Sequence, residues 1–147
     1  MWRPAVALAV VAGLAAGCGG GGGAPSPATQ LKIHVETGTA DAGLVASDAT
    51  LRCDDRSSGT GFLRGAAAAA CTAVARHVLE AVAAAQRKNR ICSQIYGGPQ
   101  AARITGTANG VPVSLTVTRT DGCGVADWET LRALLGDPER RDSASPS

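Results

Sequence analysis

Arg90-Ile91-Cys92-Ser93-Gln94-Ile95-Tyr96-Gly97-Gly98-Pro99 lies between a long helical pattern and a strand-turn-strand pattern, and the rest of the chain arranges itself around it. As a connection it belongs at the surface. A cysteine near one end offers a covalent tether. At the other end Gly97-Gly98-Pro99 imposes a turn, because the residue before a proline is kept out of the helical region. Residues 91–96 are therefore expected to run extended and exposed between two fixed points, the shape of a peptide that lies along the strand edge of another protein.

Upstream of this stretch, residues 66–87 form the one long helix that the sequence predicts. Cys71, Val74, Val78, Val82 and Ala85 recur at three- and four-residue spacing, and the alanines between them are the best helix formers. His77 stands one residue off that stripe and reads as a boundary or surface residue. Arg87, Lys88 and Arg90 are the only basic cluster, read as a solvated helix end where positive charge suits the helix dipole. Downstream, residues 102–107 and 111–119 are β-rich runs separated by Ala108-Asn109-Gly110, and Asn-Gly between two such runs signals a hairpin. Val111, Val113, Leu115 and Val117 share one face, and Pro112 suggests that the beginning of this strand is at an edge or has an unpaired amide. Asp121-Gly122-Cys123-Gly124 reads as a turn. Asp127 is then the candidate cap of a short helix that carries Trp128, Leu131 and Leu135 on one side and is stopped by Gly136 and Pro138.

Further upstream, Leu31-Lys32-Ile33-His34-Val35 alternates apolar and polar, as a half-buried strand does, with Lys32 and His34 facing water. A Gly- and Ala-containing connection leads to a second short strand, Ala49-Thr50-Leu51-Arg52-Cys53, and then to a polar loop over residues 54–65. The 147 residues suggest one domain. Beyond the first few residues its aromatics are Phe62, Tyr96 and Trp128 only. A core built from Val, Leu, Ile and Ala buries little area per side chain, so covalent support is expected.

Met1-Trp2-Arg3 and the apolar run 5–16 read as a bacterial export signal, and Leu14-Ala15-Ala16-Gly17-Cys18 resembles the lipobox of bacterial lipoproteins. That resemblance implies a signal peptide over residues 1–17, diacylation of the Cys18 thiol and a membrane anchor on the outer face of the cell; plain secretion is the alternative. Residues 18–30 then form a flexible Gly/Pro linker, 31–136 the domain and 137–147 a polar, disordered tail. With Cys18 assigned to lipid, Cys53, Cys71, Cys92 and Cys123 are an even set in an oxidising compartment, open to three pairings. Their spacings of 17, 20 and 30 intervening residues contain no CxxC, so no metal site and no cofactor are expected. The net charge is +2, and loss of Arg3 leaves 13 basic against 12 acidic residues; this is no nucleic-acid footprint. There is no Gly-x-Ser-x-Gly, no metal-hydrolase motif and no Cys/His pair with a free thiol, which argues against an enzyme.

The order of parts is the specific feature: strand, strand ending in Cys53, glycine-containing loop, Cys71 opening a helix, Cys92 two residues before Gln94, Tyr96 and a turn proline, then a hairpin and Asp-Gly-Cys123. This resembles the bacterial, streptomycete-type subtilisin-inhibitor-like family over residues 31–135. The resemblance implies an α+β two-layer sandwich: an antiparallel sheet of about five strands, one long and one short helix on one face, and disulfides Cys53–Cys71 and Cys92–Cys123. It also implies inhibition of a subtilisin-like serine protease, with the scissile bond at Gln94-Ile95. Cys92, Ser93 and Gln94 would then be P3 to P1, Ile91 would be P4, and Ile95 and Tyr96 would be P1′ and P2′. The dimer common in secreted members is a possible assembly. Subtilisins prefer large apolar residues at P1 and P4; Ile91 meets that preference and Gln94 is polar. The competing reading is a non-inhibitory surface lipoprotein of the same fold.

Overall fold

A computed structural model describes residues 28–140 of the chain. The period-two pattern around Ile33 runs longer than its apolar residues alone indicate. Strand β1 spans Thr29–Thr39 and pairs antiparallel along its whole length with β2, Gly43–Cys53, from Thr29↔Cys53 to Thr39↔Gly43. The expected connection between two short strands is therefore mostly strand, reduced to a tight turn that Gly43 closes at φ +81°. Threonine accounts for the added length of β1. Thr29 and Thr37 take inward positions on the β1 face and are buried, so the alternation continues with a β-branched residue that is not aliphatic. Thr29 and Gln30 thus belong to β1 and not to the linker.

On its other side β1 pairs antiparallel with β4, Ala101–Ala108, with Ile33 opposite Ile104. The β4–β5 hairpin forms as predicted. Strand β5 is Val111–Thr118, and Asn109 and Gly110 between the strands both have positive φ, +50° and +77°, as a two-residue type I′ turn requires. Among the described residues the sheet has the order β3-β2-β1-β4-β5, where β3 is the two-residue Ser58–Gly59 inside the segment expected to be loop throughout. β5 is an edge, as Pro112 indicated. Val111 departs from the predicted face and is exposed, while Val113, Leu115 and Val117 are buried.

The long helix runs continuously over Ala67–Ala85, as α1 (Ala67–Ala73), a wider π turn (Val74–Val78) and α2 (Leu79–Ala85). The π turn was not legible in the spacing. Val74 and Val78 are both buried, as the stripe predicts, and beyond the turn Ala81 is buried, Val82 half-buried and Ala85 exposed. Helices α3 (Gly122–Thr130) and α4 (Arg132–Leu135) bring Trp128, Leu131, Leu134 and Leu135 onto the same core. All the helices lie on one face of the sheet, against Leu31, Ile33, Leu51, Ile104, Leu115 and Val117. His34 faces the open side beside Asp48, at 2.8 Å. The start of the polar tail is docked: Gly38 N donates to Pro138 O at 2.9 Å and the Thr37 hydroxyl donates to Arg140 O. Residues 141–147 of the predicted tail lie outside the described residues.

Gly106, at the centre of this sheet, has φ +130°, and a Cβ placed there would stand 2.1 Å from the Gln30 carbonyl oxygen. A Gly106→Ala variant would meet both a conformational cost of about 1–3 kcal/mol and a clash with backbone that only parting β1 from β4 relieves. We expect its thermal midpoint to fall by roughly 10–20 °C in a calorimetric scan. Gly110→Ala, at a turn with open space around the Cβ position, should lose much less. Equal losses in the two variants would show that the contact beneath Gly106 is unimportant.

Candidate functional site

Residues 91–98 carry no helix or strand pairing, and they leave the body of the protein between α2 and β4. Ile91 is 98% exposed, Ile95 62% and Tyr96 63%. Ser93 and Gln94 are exposed as well. Three apolar side chains standing in water on one segment, in a chain with few large apolar residues, are costly unless they have a use. The predicted residues thus form one contiguous exposed segment. Cys18 lies outside the described residues.

The segment is exposed but held. Cys92 is bonded to Cys123, and Cys53 to Cys71, the two pairings that the resemblance implied. Cys123 lies in the first turn of α3, so the tether ends on a helix whose Trp128 is wholly buried and not on another loop. The segment 121–124, expected as a turn, is the start of that helix. Its cap is Asp121, not Asp127: the Asp121 carboxylate accepts the Gly124 amide at 2.8 Å. The reason is positional, since α3 begins at Gly122 and not at Trp128, where the apolar pattern starts. Gly122 N, freed at the helix start, donates to Ser93 O at 2.9 Å. Gly122 has no side chain because the Ser93 hydroxyl occupies that space; a Cβ there would stand 1.9 Å from it.

The far end of the segment is fixed by different groups. Gly97 N donates to Arg119 O at 2.7 Å, and a Gly97 Cβ would stand 2.4 Å from a methyl of Val125. Gly98 follows at φ +130°. Gln100, almost wholly buried, anchors the turn to the sheet: its amide donates to Gly38 O, and its carbonyl oxygen accepts Arg119 Nη1 at 3.3 Å.

Asp127, displaced from the capping role, serves another. Arg90 makes a two-pronged ion pair with it, Nη1 to Oδ2 at 2.5 Å and Nη2 to Oδ1 at 2.7 Å, and Nη2 also lies 3.5 Å from Cys123 O. The hydrogen bond to Asp127 raises the Arg90 pKa, burial opposes it, and the charges of Asp127 and Asp121 add to it. Arg90 is therefore not part of a solvated basic helix end. Its sequence signal was weak: nothing in the local pattern marks an arginine and an aspartate 37 residues apart as partners. The one available hint was that each lies within four residues of a cysteine that the resemblance pairs.

What this geometry offers chemically is a peptide held at both ends with main chain and apolar side chains free in the middle. No general base or nucleophile is assembled along it. Its usable groups are carbonyls, amides and the side chains of Ile91, Gln94, Ile95 and Tyr96.

Comparison with known proteins identifies the family. The model of the family described as subtilisin inhibitor-like matches residues 27–121. No curated protein matches the sequence. Among solved structures, Streptomyces caespitosus sermetstatin in complex with Bacillus licheniformis subtilisin is similar at a TM-score of 0.43 and 19% identity, over 74% of this chain and 97% of that one. A family model that spans most of the domain, over a chain with this strand order and both disulfides, places the chain in the subtilisin inhibitor-like family.

Proposed function

We propose that the protein inhibits a subtilisin-like serine protease with residues 91–96 as its reactive loop and Gln94-Ile95 as the bond offered for cleavage. The observation that carries this reading is the combination of exposure and restraint in that one segment of a subtilisin inhibitor-like chain. Ile91, Ile95 and Tyr96 stand in solvent while Cys92–Cys123 and the Gly97 N to Arg119 O hydrogen bond hold the two ends.

Binding would use the main chain. Residues 91–94 pair with a strand edge of the enzyme, and the Gln94 carbonyl oxygen enters the oxyanion hole facing the catalytic serine. Ordering a free backbone costs about 1–2 kcal/mol per residue, so a six-residue segment would lose on the order of 6–12 kcal/mol on docking. Each main-chain hydrogen bond returns only about 1 kcal/mol net. A free peptide of this sequence is therefore a weak ligand, and one already ordered by its own protein is a strong one. Should the serine attack Gln94, the Ile95 amine leaves but stays within reach, held through Gly97. It can attack the acyl-enzyme again, remaking the peptide bond and releasing the serine.

The lipobox-like sequence before Cys18 supports a lipid anchor, which would place the inhibitor on the outer face of the membrane at the end of the linker that precedes β1. The test is one incubation of the mature protein with a near-equimolar subtilisin, with mass spectrometry of the mixture. We expect stoichiometric, slowly reversed inhibition, a single slow cut between Gln94 and Ile95, and a diacyl mass on Cys18. Rapid cutting at several bonds, or no inhibition across a panel of such enzymes, would leave the loop as a non-inhibitory surface feature.

A further inference from the structure

The two residues on either side of Ile91 are fastened to the same face of α3. Arg90 grips Asp127 through both prongs of its guanidinium, and Cys92 is bonded to Cys123. Cys123 and Asp127 are four residues apart in one helix, hence one turn apart on one face. Arg90 and Cys92 are two apart in the segment, hence on one side of it wherever it runs extended. The matching intervals give a two-point attachment. A single disulfide is a pivot about which the chain can swing, whereas two points one helical turn apart fix a direction. Ile91, between them, has no place against the helix and projects into water, 98% exposed. The base of the attachment is firm: α3 is capped by Asp121 and rooted by the wholly buried Trp128. The ion pair itself is partly shielded, with side-chain exposures of 29% for Arg90 and 21% for Asp127, so it is neither freely solvated nor stranded in the core.

Building on the reading of residues 91–96 as a reactive loop, we propose that Arg90 is a positioning residue of that loop: held by Asp127, it sets the direction in which segment 90–94 leaves α3 and so aims Ile91 and Gln94 at the enzyme. Arg90 acts through the ion pair and makes no contact with the protease. The bidentate geometry matters to this role, because a planar fork fixes orientation where a single point charge would not.

The test uses the full mature chain and the variants Arg90→Gln, Asp127→Ala, the two combined, and the exchange Arg90→Asp/Asp127→Arg. Three quantities are read: inhibition of a subtilisin, thermal midpoint, and backbone ¹⁵N order parameters of residues 91–96. Each single variant should weaken inhibition by about 10–50-fold while the thermal midpoint moves by only a few degrees, as expected for one partly exposed pair. The combined variant should be no worse than either single one, since both remove the same link. Order parameters at 91–94 should fall from about 0.85 toward 0.6, and the exchange should recover part of both losses. Ile91→Ala should cost less in the Arg90→Gln background than in the native chain, a coupling that a merely structural role would not produce. Native inhibition and native order in both single variants would overturn the proposal. So would a loss confined to Arg90→Gln, which would mean that Arg90 touches the enzyme directly. If the native protein inhibits nothing, the functional reading fails on its own, and the order parameters decide the attachment: a fall upholds it and no change removes it.

Discussion

Replacing Cys92 and Cys123 together by serine is expected to turn the protein from an inhibitor into a substrate. The bridge closes a separation of 31 residues, and on the chain-entropy model its loss costs about 3.5–4 kcal/mol of stability. The effect on inhibition should be larger than that figure suggests, because among the described residues the bridge is the only covalent cross-link on the Gln94 side of the proposed scissile bond. Without it that side is held by the Arg90–Asp127 ion pair and the Gly122 N to Ser93 O hydrogen bond. Both are reversible and individually weak. A new carboxyl terminus at Gln94 would then drift away from the Ile95 amine before the bond re-formed. We expect at least about a 100-fold loss of inhibition, which corresponds to roughly 2.7 kcal/mol, together with rapid accumulation of protein cut after Gln94. Removal of Cys53–Cys71 is the control. With a separation of 18 it costs a similar stability, about 3 kcal/mol, but it joins β2 to α1 and touches nothing in the loop. At a temperature where both variants are folded, the control should inhibit like the native chain. If the loop-bridge variant also inhibits like the native chain and resists cutting, restraint by this disulfide is not the basis of inhibition.

The sheet was legible where its residues carry the pattern in their own side chains. Asn109-Gly110 gave the hairpin, Pro112 the edge, and the alternation at Leu31, Ile33 and Val35 the central strand. It was less legible where threonine stood at inward positions of β1, where the first half of β2 is exposed on both faces and shows no apolar alternation, and where a two-residue strand such as Ser58–Gly59 is too short to show any period. The π turn at Val74–Val78 left no mark because its two buried residues, Val74 and Val78, are four apart, the spacing that an ordinary helix also gives. In the candidate site, the exposed segment and its two fixed ends followed from Cys92 and Gly97-Gly98-Pro99. What supports those ends did not. The Asp121 cap, the space that Gly122 leaves for Ser93, the Gln100 anchor and the Arg90–Asp127 pair all join residues distant in sequence or depend on where a helix begins. A local pattern cannot show them. Asp127 illustrates the point: its place before Trp128 made it a plausible cap, and only the true start of α3 frees it for Arg90.

Gln94→Met is expected to tighten inhibition of a subtilisin with an apolar primary pocket by about 10- to 150-fold. The native side chain is exposed in the free protein, so docking it at P1 would take a polar amide out of water into a pocket that offers it few partners. A large apolar side chain at that position instead gains about 1.5–3 kcal/mol from burial. The loop bridge and the Gly97 attachment are unaffected by the exchange, so the thermal midpoint should stay within a degree or two of the native value. All of the gain should therefore appear in binding. Gln94→Lys should act in the opposite sense toward the same enzyme, and it should improve inhibition of a serine protease whose primary pocket carries an acidic group. The crossing of the two variants between two enzymes is the informative result, because a general change in loop rigidity would move both enzymes the same way. Unchanged inhibition of both enzymes by both variants would place the contact elsewhere on the molecule. It would then follow that Gln94, however well displayed between Cys92 and Gly97, is not the residue that the protease reads.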